Sequence, residues 1–320
     1  MKELEFIKLI KESLTKSSHI GDDCAYLKDL SIVVTQDSLV EDIHFSRKFA
    51  SAYEIGYKSI MVNLSDVFAS GGIPKYLTIS LSLSKSIDKE FVKEYYRACE
   101  ELSKEFDFEI VGGDITGSDK IFISICAIGL TNGQNISSRK NAAVGDYFVT
   151  TGVHGSSAAG LWLLNNGVEA YPKIVEKHLK PIAQRAFSKE ISTKIVTPYA
   201  MMDTSDGLMD AAFKIAESSK VTIELDFDKI PYNKEIEEIA RSANIDFKDW
   251  ILYGGEDFQI VACVNEKDLE KLDPTKFTII GKVKEKQETH AVEVIFDGDI
   301  EKIEKITNLE KTFNHFKETK

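Results

Sequence analysis

The chain reads as an α/β (α+β) protein folded as two domains. Three observations predict this. Strand-forming and helix-forming segments alternate along its length, the alternation restarts after a polar stretch at residues 131–146, and 320 residues exceed the usual size of one domain.

The first segment, MKELEFIKLIKESLTK, spaces Leu4, Ile7, Ile10 and Leu14 at helical intervals between charges, so it reads as an amphipathic helix rather than a secretion signal. SIVVT (31–35), YLTISLSL (76–83), FEIVGG (108–113) and KIFISICAIGL (120–130) are rich in β-branched and aromatic residues and read as strands. Residues 53–70 and 88–105 carry helical periodicity, the first with Tyr57, Ile60, Met61, Leu64 and Phe68 on one face. The turn-forming stretch TNGQNISSRKNAAVGD (131–146) puts the boundary near 133–145, giving domains 1–138 and 139–320. YFVTTG then reads as a strand running into a helix at VHGSSAAGLWLLNNG. VTIELDF (221–227), FQIVACV (258–264), FTIIGKV (277–283) and AVEVIF (291–296) follow as strands. The last twenty residues are charged and helical in composition, with Phe313 and Phe316 as their aromatics.

Composition narrows the function. A formal net charge of -12 argues against binding nucleic acid or acidic membranes, which takes clustered Lys and Arg. An acidic enzyme that handles phosphates needs metal ions as intermediaries. No apolar run is long enough to span a bilayer, and a cytoplasmic location is expected. Cys24, Cys99, Cys126 and Cys263 are scattered without a C-x-x-C pair, so neither a zinc site nor a disulfide framework is indicated. The P-loop, the dinucleotide fingerprint and the protein-kinase signatures are all missing.

What recurs instead is an aspartate at the end of an apolar element, beside Gly or a hydroxyl residue. The cases are Asp22 and Asp23 in HIGDDCAYL, Asp37 in VVTQDSLV, Asp66 in VNLSDVFASGG, Asp114 in IVGGDITG, and Asp203 and Asp206 in MMDTSDGLMDAAFKIAES. Individually they have ordinary readings: Ser205 or Asp206 as a helix cap, Asp37 and Asp114 as turn residues, Asp66 on a solvated helix face. Collectively they lie in windows almost free of Lys and Arg. If their loops converge, such carboxylates repel one another unless cations bind among them, and hard oxygen ligands select Mg²⁺ shared with substrate phosphates. TTGVHGSSAAGL, a strand, glycine turn and helix start, could offer backbone N–H groups to an anion or use its glycines for geometry alone. Arg139, with Lys140 beside it, could grip a polyphosphate or be an exposed linker residue.

In order, GDDCA, TQDSLVEDIHF, VNLSDVFASGGIPKY, VGGDITG, SRKNAAVGD, TTGVHGSSAAGL, DTSDGL and YGGEDFQIV resemble the aminoimidazole ribonucleotide synthetase superfamily, and within it the thiamine-monophosphate kinases. The resemblance covers nearly the whole chain. It implies ATP-dependent phosphorylation of thiamine monophosphate to thiamine diphosphate, several Mg²⁺ ions, two α/β domains and a homodimer through the N-terminal halves. By motif it implies metal ligands at Asp23, Thr35, Gln36, Asp37, Asp66, Asp114, Asp203 and Asp206. It implies nucleotide contacts at Tyr96, Gly113, Asp114, Arg139 and Ser205, substrate contacts at His44, Glu256 and Phe313, and catalytic roles for Asp206 and Arg139. Gln36 stands where the family usually has threonine, Asp42 where glycine is common, and Phe313 where Tyr or Trp is frequent.

The acceptor in such a reaction is already a phosphate, mostly dianionic at neutral pH, so its oxygen needs no general base and the carboxylates are expected to hold metals. Direct in-line transfer is the expected course. Two alternatives stand beside this reading. One is another enzyme of the superfamily; the reactive N-terminal Cys of selenophosphate synthetases and the terminal Cys of hydrogenase-maturation proteins are missing here. The other is a binding module that has lost turnover.

Overall fold

The computed structural model describes residues 3–286, 291–297, 299–306 and 310–312. The apolar segments before residue 131 pair into one sheet: β1 (Ala25–Leu27), β2 (Ile32–Val40), β3 (Ile73–Leu83), β4 (Glu109–Gly117) and β5 (Phe122–Leu130), in the spatial order β1-β2-β5-β3-β4. Helices α1 (Glu3–Ser13), α2 (Ala52–Ala69) and α3 (Lys89–Phe106) accompany it. β3 and β4 are parallel, as the crossover through α3 requires, and the remaining pairs are antiparallel.

The register of this sheet decides which residues can meet. Asp37, Ile125, Ile79 and Gly113 lie in one row, and Ser38, Ser124, Ser80 and Asp114 in the next. Successive side chains point to opposite faces, so the two rows serve different surfaces. Ile79, Leu81, Ile123 and Ile125 are buried on the face towards α2. The opposite face presents Gln36, Ser38 and Asp114 to solvent, with Tyr76 and Phe122 partly exposed.

α2 departs from the one-faced helix its periodicity predicts. From Ile55 to Ala69 every residue except Tyr57 and Asp66 is buried, because the helix is wedged between the first sheet and elements of the second half. Its start is fixed by a capping box in which Ser51 and Glu54 satisfy each other's backbone N–H.

The second half builds a sheet of β6 (Tyr147–Thr150), β7 (Ala200–Asp203), β8 (Thr222–Asp226), β9 (Ile260–Val264), β10 (Thr278–Lys284), β11 (Ala291–Phe296) and β12 (Asp299–Ile306). The order is β12-β11-β8-β10-β6-β9-β7. With it come α4 (Ser156–Asn165), α5 (Pro172–Leu179), α6 (Arg185–Lys194), α7 (Leu208–Ser219), α8 (Glu235–Ala243), α9 (Phe247–Tyr253) and the short α10 (Glu266–Leu269). Both faces of this sheet are covered. Met201, Ile260 and Ala262 join the core that holds Ile60 and Leu64 of α2, whereas Met202, Val261 and Cys263 pack on the side of Met209 and Phe213 of α7. The core of the first sheet is therefore continuous with one face of the second.

Two expectations are corrected here. Residues 301–306 are strand, not helix: β12 pairs antiparallel with the apolar β11 and covers what would otherwise be its open edge. Neither Ser205 nor Asp206 caps α7. Its N-cap is Gly207 at φ 107, with no side-chain cap bond, which leaves both of those residues free for other work. α1 forms as expected, with Leu9 and Ile10 each 49% exposed.

Candidate active site

Four chain segments bring acids together at the junction of the two halves. The alternation of β2 puts Thr35 and Asp37 on the face towards α2, one turn of α2 presents Asn63 and Asp66, and β7 ends on Asp203. The loop before β1 adds Asp23. One carboxylate oxygen from each of Asp23, Asp66 and Asp203 lies within 4.8 Å of the others, an arrangement able to hold a metal ion.

Neighbouring polar groups fix these residues, two of them by donating to a carboxylate. Thr35 Oγ1 donates to Asp66 Oδ2 at 2.5 Å, Ser65 Oγ donates to Asp203 Oδ2 at 2.6 Å, and Asn63 Oδ1 accepts from the Asp37 amide at 3.1 Å. Burial nevertheless dominates their protonation. It pushes Asp203 up to about 7, with the charges of Asp23 and Asp37 adding to the effect. Burial, then Asp37, Asp203 and Asp23, raise Asp66 well above the usual carboxylate range. Asp23 is also raised by burial, although Arg139 opposes this. Buried like charges at such spacing favour bound cations or bound protons.

Arg139 and Asp206 stand at one side of this group. The Arg139 amide donates to Asp22 Oδ1 at 2.8 Å, and its guanidinium Nη2 donates to Asp23 Oδ1 at 2.5 Å, so the adjacent acids of GDDCA hold the SSRK segment by backbone and by side chain. Asp206 is 3.2 Å from Lys214 Nζ, which also meets Asp210 at 2.6 Å. Burial alone would lower the Lys214 ammonium, but the two acids outweigh it and keep it protonated. The Ser205 amide donates to Asp203 Oδ1 at 3.3 Å, and its carbonyl accepts from the Glu256 amide at 2.7 Å.

A second polar group lies across α2. Lys58 Nζ is 2.7 Å from Glu256 Oε1 and donates to the His44 carbonyl at 2.9 Å, and His178 Nδ1 is 3.5 Å from Glu256 Oε2. The His44 ring accepts from the Val40 amide at 3.0 Å, closing a tight turn after β2. In that turn Asp42 sits at φ 66, a left-handed conformation that explains why glycine suits the position and that Asp tolerates. The next acid, Asp257, accepts from the amides of Gly155 at 2.5 Å and Ser157 at 2.9 Å. The start of α4, one candidate for anion binding, is thus filled by a carboxylate of the chain itself.

The remaining sequence candidates lie apart from the acid group. Gln36 points to the open face of the first sheet, where its amide donates to Ser124 Oγ at 3.1 Å. Asp114 shares that face on the edge strand β4. Gly113 is at φ 155, and a Cβ there would come within 1.9 Å of the Ile79 carbonyl, so strand packing alone demands glycine. Tyr96 is half-buried on α3, edge-on to Tyr95 at 5.2 Å between ring centroids. Phe313 lies outside the described residues.

Sequence reasoning missed Lys58, Asn63, Ser65, His178 and Lys214. A signal for three of them was present: Lys58, Asn63 and Ser65 are polar residues on a helix whose other positions are largely apolar, and such groups persist in a core only with partners.

The chain matches the family models of the AIR synthase related protein, N-terminal domain, over residues 21–131 and C-terminal domain over residues 143–293. Thiamine-monophosphate kinase of Aquifex aeolicus (strain VF5) is 35% identical over 265 residues, 81% of this chain and 84% of that protein. The thiamine-monophosphate kinase of Bacillus subtilis (strain 168) is 32% identical over 315 residues, 93% of each. Among solved structures, AaThiL complexed with AMPPCP and TMP is similar with a TM-score of 0.86 at 33% identity, covering 98% of this chain and 97% of that one. The two family-model matches, one over each half of the chain, define it as a member of the AIR synthase related class. Within that class the chain belongs to the thiamine-monophosphate kinase family, and it is an enzyme.

Proposed function

We propose that this chain transfers the γ-phosphoryl group of ATP to thiamine monophosphate, giving thiamine diphosphate and ADP, with Mg²⁺ required. The observation that carries the reading is the approach of Asp23, Asp66 and Asp203 within 4.8 Å at the junction of the two halves. Oxygen-only donors that are desolvated and mutually repelling fit Mg²⁺ in preference to softer metals. A solved relative, AaThiL, carries an ATP analogue and TMP, which supports both substrates.

In this reading Asp23, Thr35, Asp37, Asp66 and Asp203 hold the metal, and Asp206, Asp114 and Gln36 belong to the wider ligand set by motif. Held by these residues, Mg²⁺ would supply positive charge that offsets the repulsion between the anionic phosphates. Arg139 exchanges its hold on Asp23 for a nucleotide phosphate, a bidentate contact its fork geometry suits. Ser205, Gly113 and Tyr96 contact the nucleotide. His44 and Glu256, with Phe313, take the cationic thiazolium and the aminopyrimidine of the acceptor. A terminal oxygen of the acceptor phosphate, as a dianion, forms a bond to the γ-phosphorus while the bond to the β–γ bridging oxygen breaks and ADP leaves, so no residue removes a proton and transfer is direct.

We place the division of the chain between residues 138 and 139, in the gap separating the two family-model matches. A homodimer through the first sheets would use their open face, where Tyr76 is 38% and Phe122 37% exposed. No described helix is long and apolar enough to cross a membrane, and use of ATP suits a cytoplasmic enzyme. A single-turnover reaction tests the chemistry: thiamine diphosphate must appear without any phosphate trapped on the protein, and a covalent phosphoprotein contradicts direct transfer.

A further inference from the structure

A lysine inside a helix buried on nearly every side is costly unless its ammonium is paired. Lys58 has a side chain only 4% exposed, and its Nζ is 2.7 Å from Glu256 Oε1. The same nitrogen donates to the His44 carbonyl at 2.9 Å. Glu256 comes from the turn before β9 in the second half, and His44 from the turn after β2 in the first. Lys58 therefore touches both groups assigned to the acceptor substrate, from opposite sides of the cleft. Each group is also fixed from behind: the Glu256 amide donates to the Ser205 carbonyl at 2.7 Å, and the His44 ring accepts from the Val40 amide at 3.0 Å.

We propose that Lys58 is a positioning residue for the acceptor, latching the His44 turn to the Glu256 turn and holding the Glu256 carboxylate in place for the cationic part of the substrate. The proposal rests on the reading of His44 and Glu256 as acceptor contacts.

The charges around Glu256 explain why a lysine is used. Burial pushes the Glu256 carboxyl up, and Lys58, then His178, then His44, outweigh it, so the net effect is below the usual range. His178 of α5 is itself pulled down to about 4 by burial and by Lys58, and is neutral at pH 7. Asp257 beside Glu256 is pushed up to about 7 by burial, and when ionised it carries charge of the same sign as Glu256. Lys58 thus supplies the lasting positive charge that faces Glu256 from α2. Without it, the carboxyl protonates at higher pH and the His44 carbonyl loses its donor.

The test compares wild type with Lys58→Met, Glu256→Gln and the double variant, measuring kcat and KM for thiamine monophosphate and for ATP from pH 5 to 9. Wild type must form thiamine diphosphate; if it does not, the functional reading fails before Lys58 is in question. Given turnover, Lys58→Met should raise KM for thiamine monophosphate about tenfold, leave KM for ATP within about twofold, and move the acid limb of the KM profile towards neutral pH. The double variant should bind the acceptor no more weakly than Glu256→Gln alone, because Lys58 acts through Glu256. That comparison stands even if Lys58→Met fails to fold, since the double variant buries no unpaired charge at this pair. Either of two results overturns the proposal: a folded Lys58→Met with unchanged acceptor KM and pH profile, or a double variant whose acceptor KM rises well beyond that of Glu256→Gln.

Discussion

Ser65 of α2 donates its hydroxyl to Oδ2 of Asp203, the last residue of β7, at 2.6 Å, joining two residues 138 positions apart in sequence. This bond crosses from the first half of the chain to the second and ends on one of the three clustered acids. Ser65→Ala leaves a buried carboxylate oxygen without its donor, which costs about 1–3 kcal/mol. Metal affinity should fall with it, by about tenfold, as read by Mg²⁺ titration calorimetry. Unchanged stability and affinity would show that the bond does not order the acid.

Asp66→Asn separates the chemical role of the acids from their structural cost. The Thr35 hydroxyl can still donate to an amide oxygen, while the repulsion among Asp66, Asp37, Asp203 and Asp23 is reduced. Metal-free Asp66→Asn should therefore melt higher than wild type at pH 8, and its turnover should fall at least about a hundredfold. Thermal melts and steady-state rates on one preparation decide both points; a lower melting temperature would mean that the acid group stabilises the fold.

The same physics sets a pH dependence. Asp203 is raised from 3.8 to about 7 in the fold, and Asp210 to about 6, chiefly by burial in both cases. A folded pKa above the unfolded one makes a contribution to stability that is complete below about pH 4 and lost as pH rises through 7. Metal-free protein should lose stability between pH 5 and 8, on the order of 2–3 kcal/mol if Asp203 titrates alone. Mg²⁺ should restore it most at pH 8, where metal ions no longer compete with protons. Denaturant midpoints at pH 5, 6.5 and 8, with and without Mg²⁺, give the comparison, and a midpoint that rises with pH in the absence of metal would contradict it.

Much of this site was legible as motifs, because each acid follows an apolar strand or helix and the sequence order of those elements is plain. Asp23, Asp66 and Asp203 were found in this way. Their meeting was implied by the family resemblance but not legible from local pattern, since it depends on α2 lying buried between the halves, and a helix that is apolar on most sides shows the same local periodicity as a one-faced one. Gln36 is turned away from the acid group by the alternation of β2 itself, whereas the placement of Asp114 on the same open face depends on the pairing of β4 with β3, which is a tertiary choice. Ser205 and Asp206 looked like caps because residue types favour that role, and only the backbone of Gly207 showed otherwise. β12 was missed because DIEKIEKI spaces its isoleucines three apart between pairs of charges, an interval that reads as an exposed helix rather than a strand.

Gly113→Ala distinguishes packing from nucleotide contact. The added Cβ would overlap the Ile79 carbonyl at 1.9 Å, so β4 must shift away from β3. A loss of about 1–3 kcal/mol is expected from overpacking, visible in a denaturant melt without any nucleotide. A normal melt with weakened ATP binding would assign this glycine to the nucleotide alone.

The most direct measurement is product formation from purified protein, ATP, Mg²⁺ and thiamine monophosphate, with free thiamine and a metal-free sample as controls. The account predicts equal amounts of ADP and thiamine diphosphate, only with the monophosphate and only with Mg²⁺. Phosphorylation of free thiamine in its place, or no product from folded protein with metal present, would contradict it.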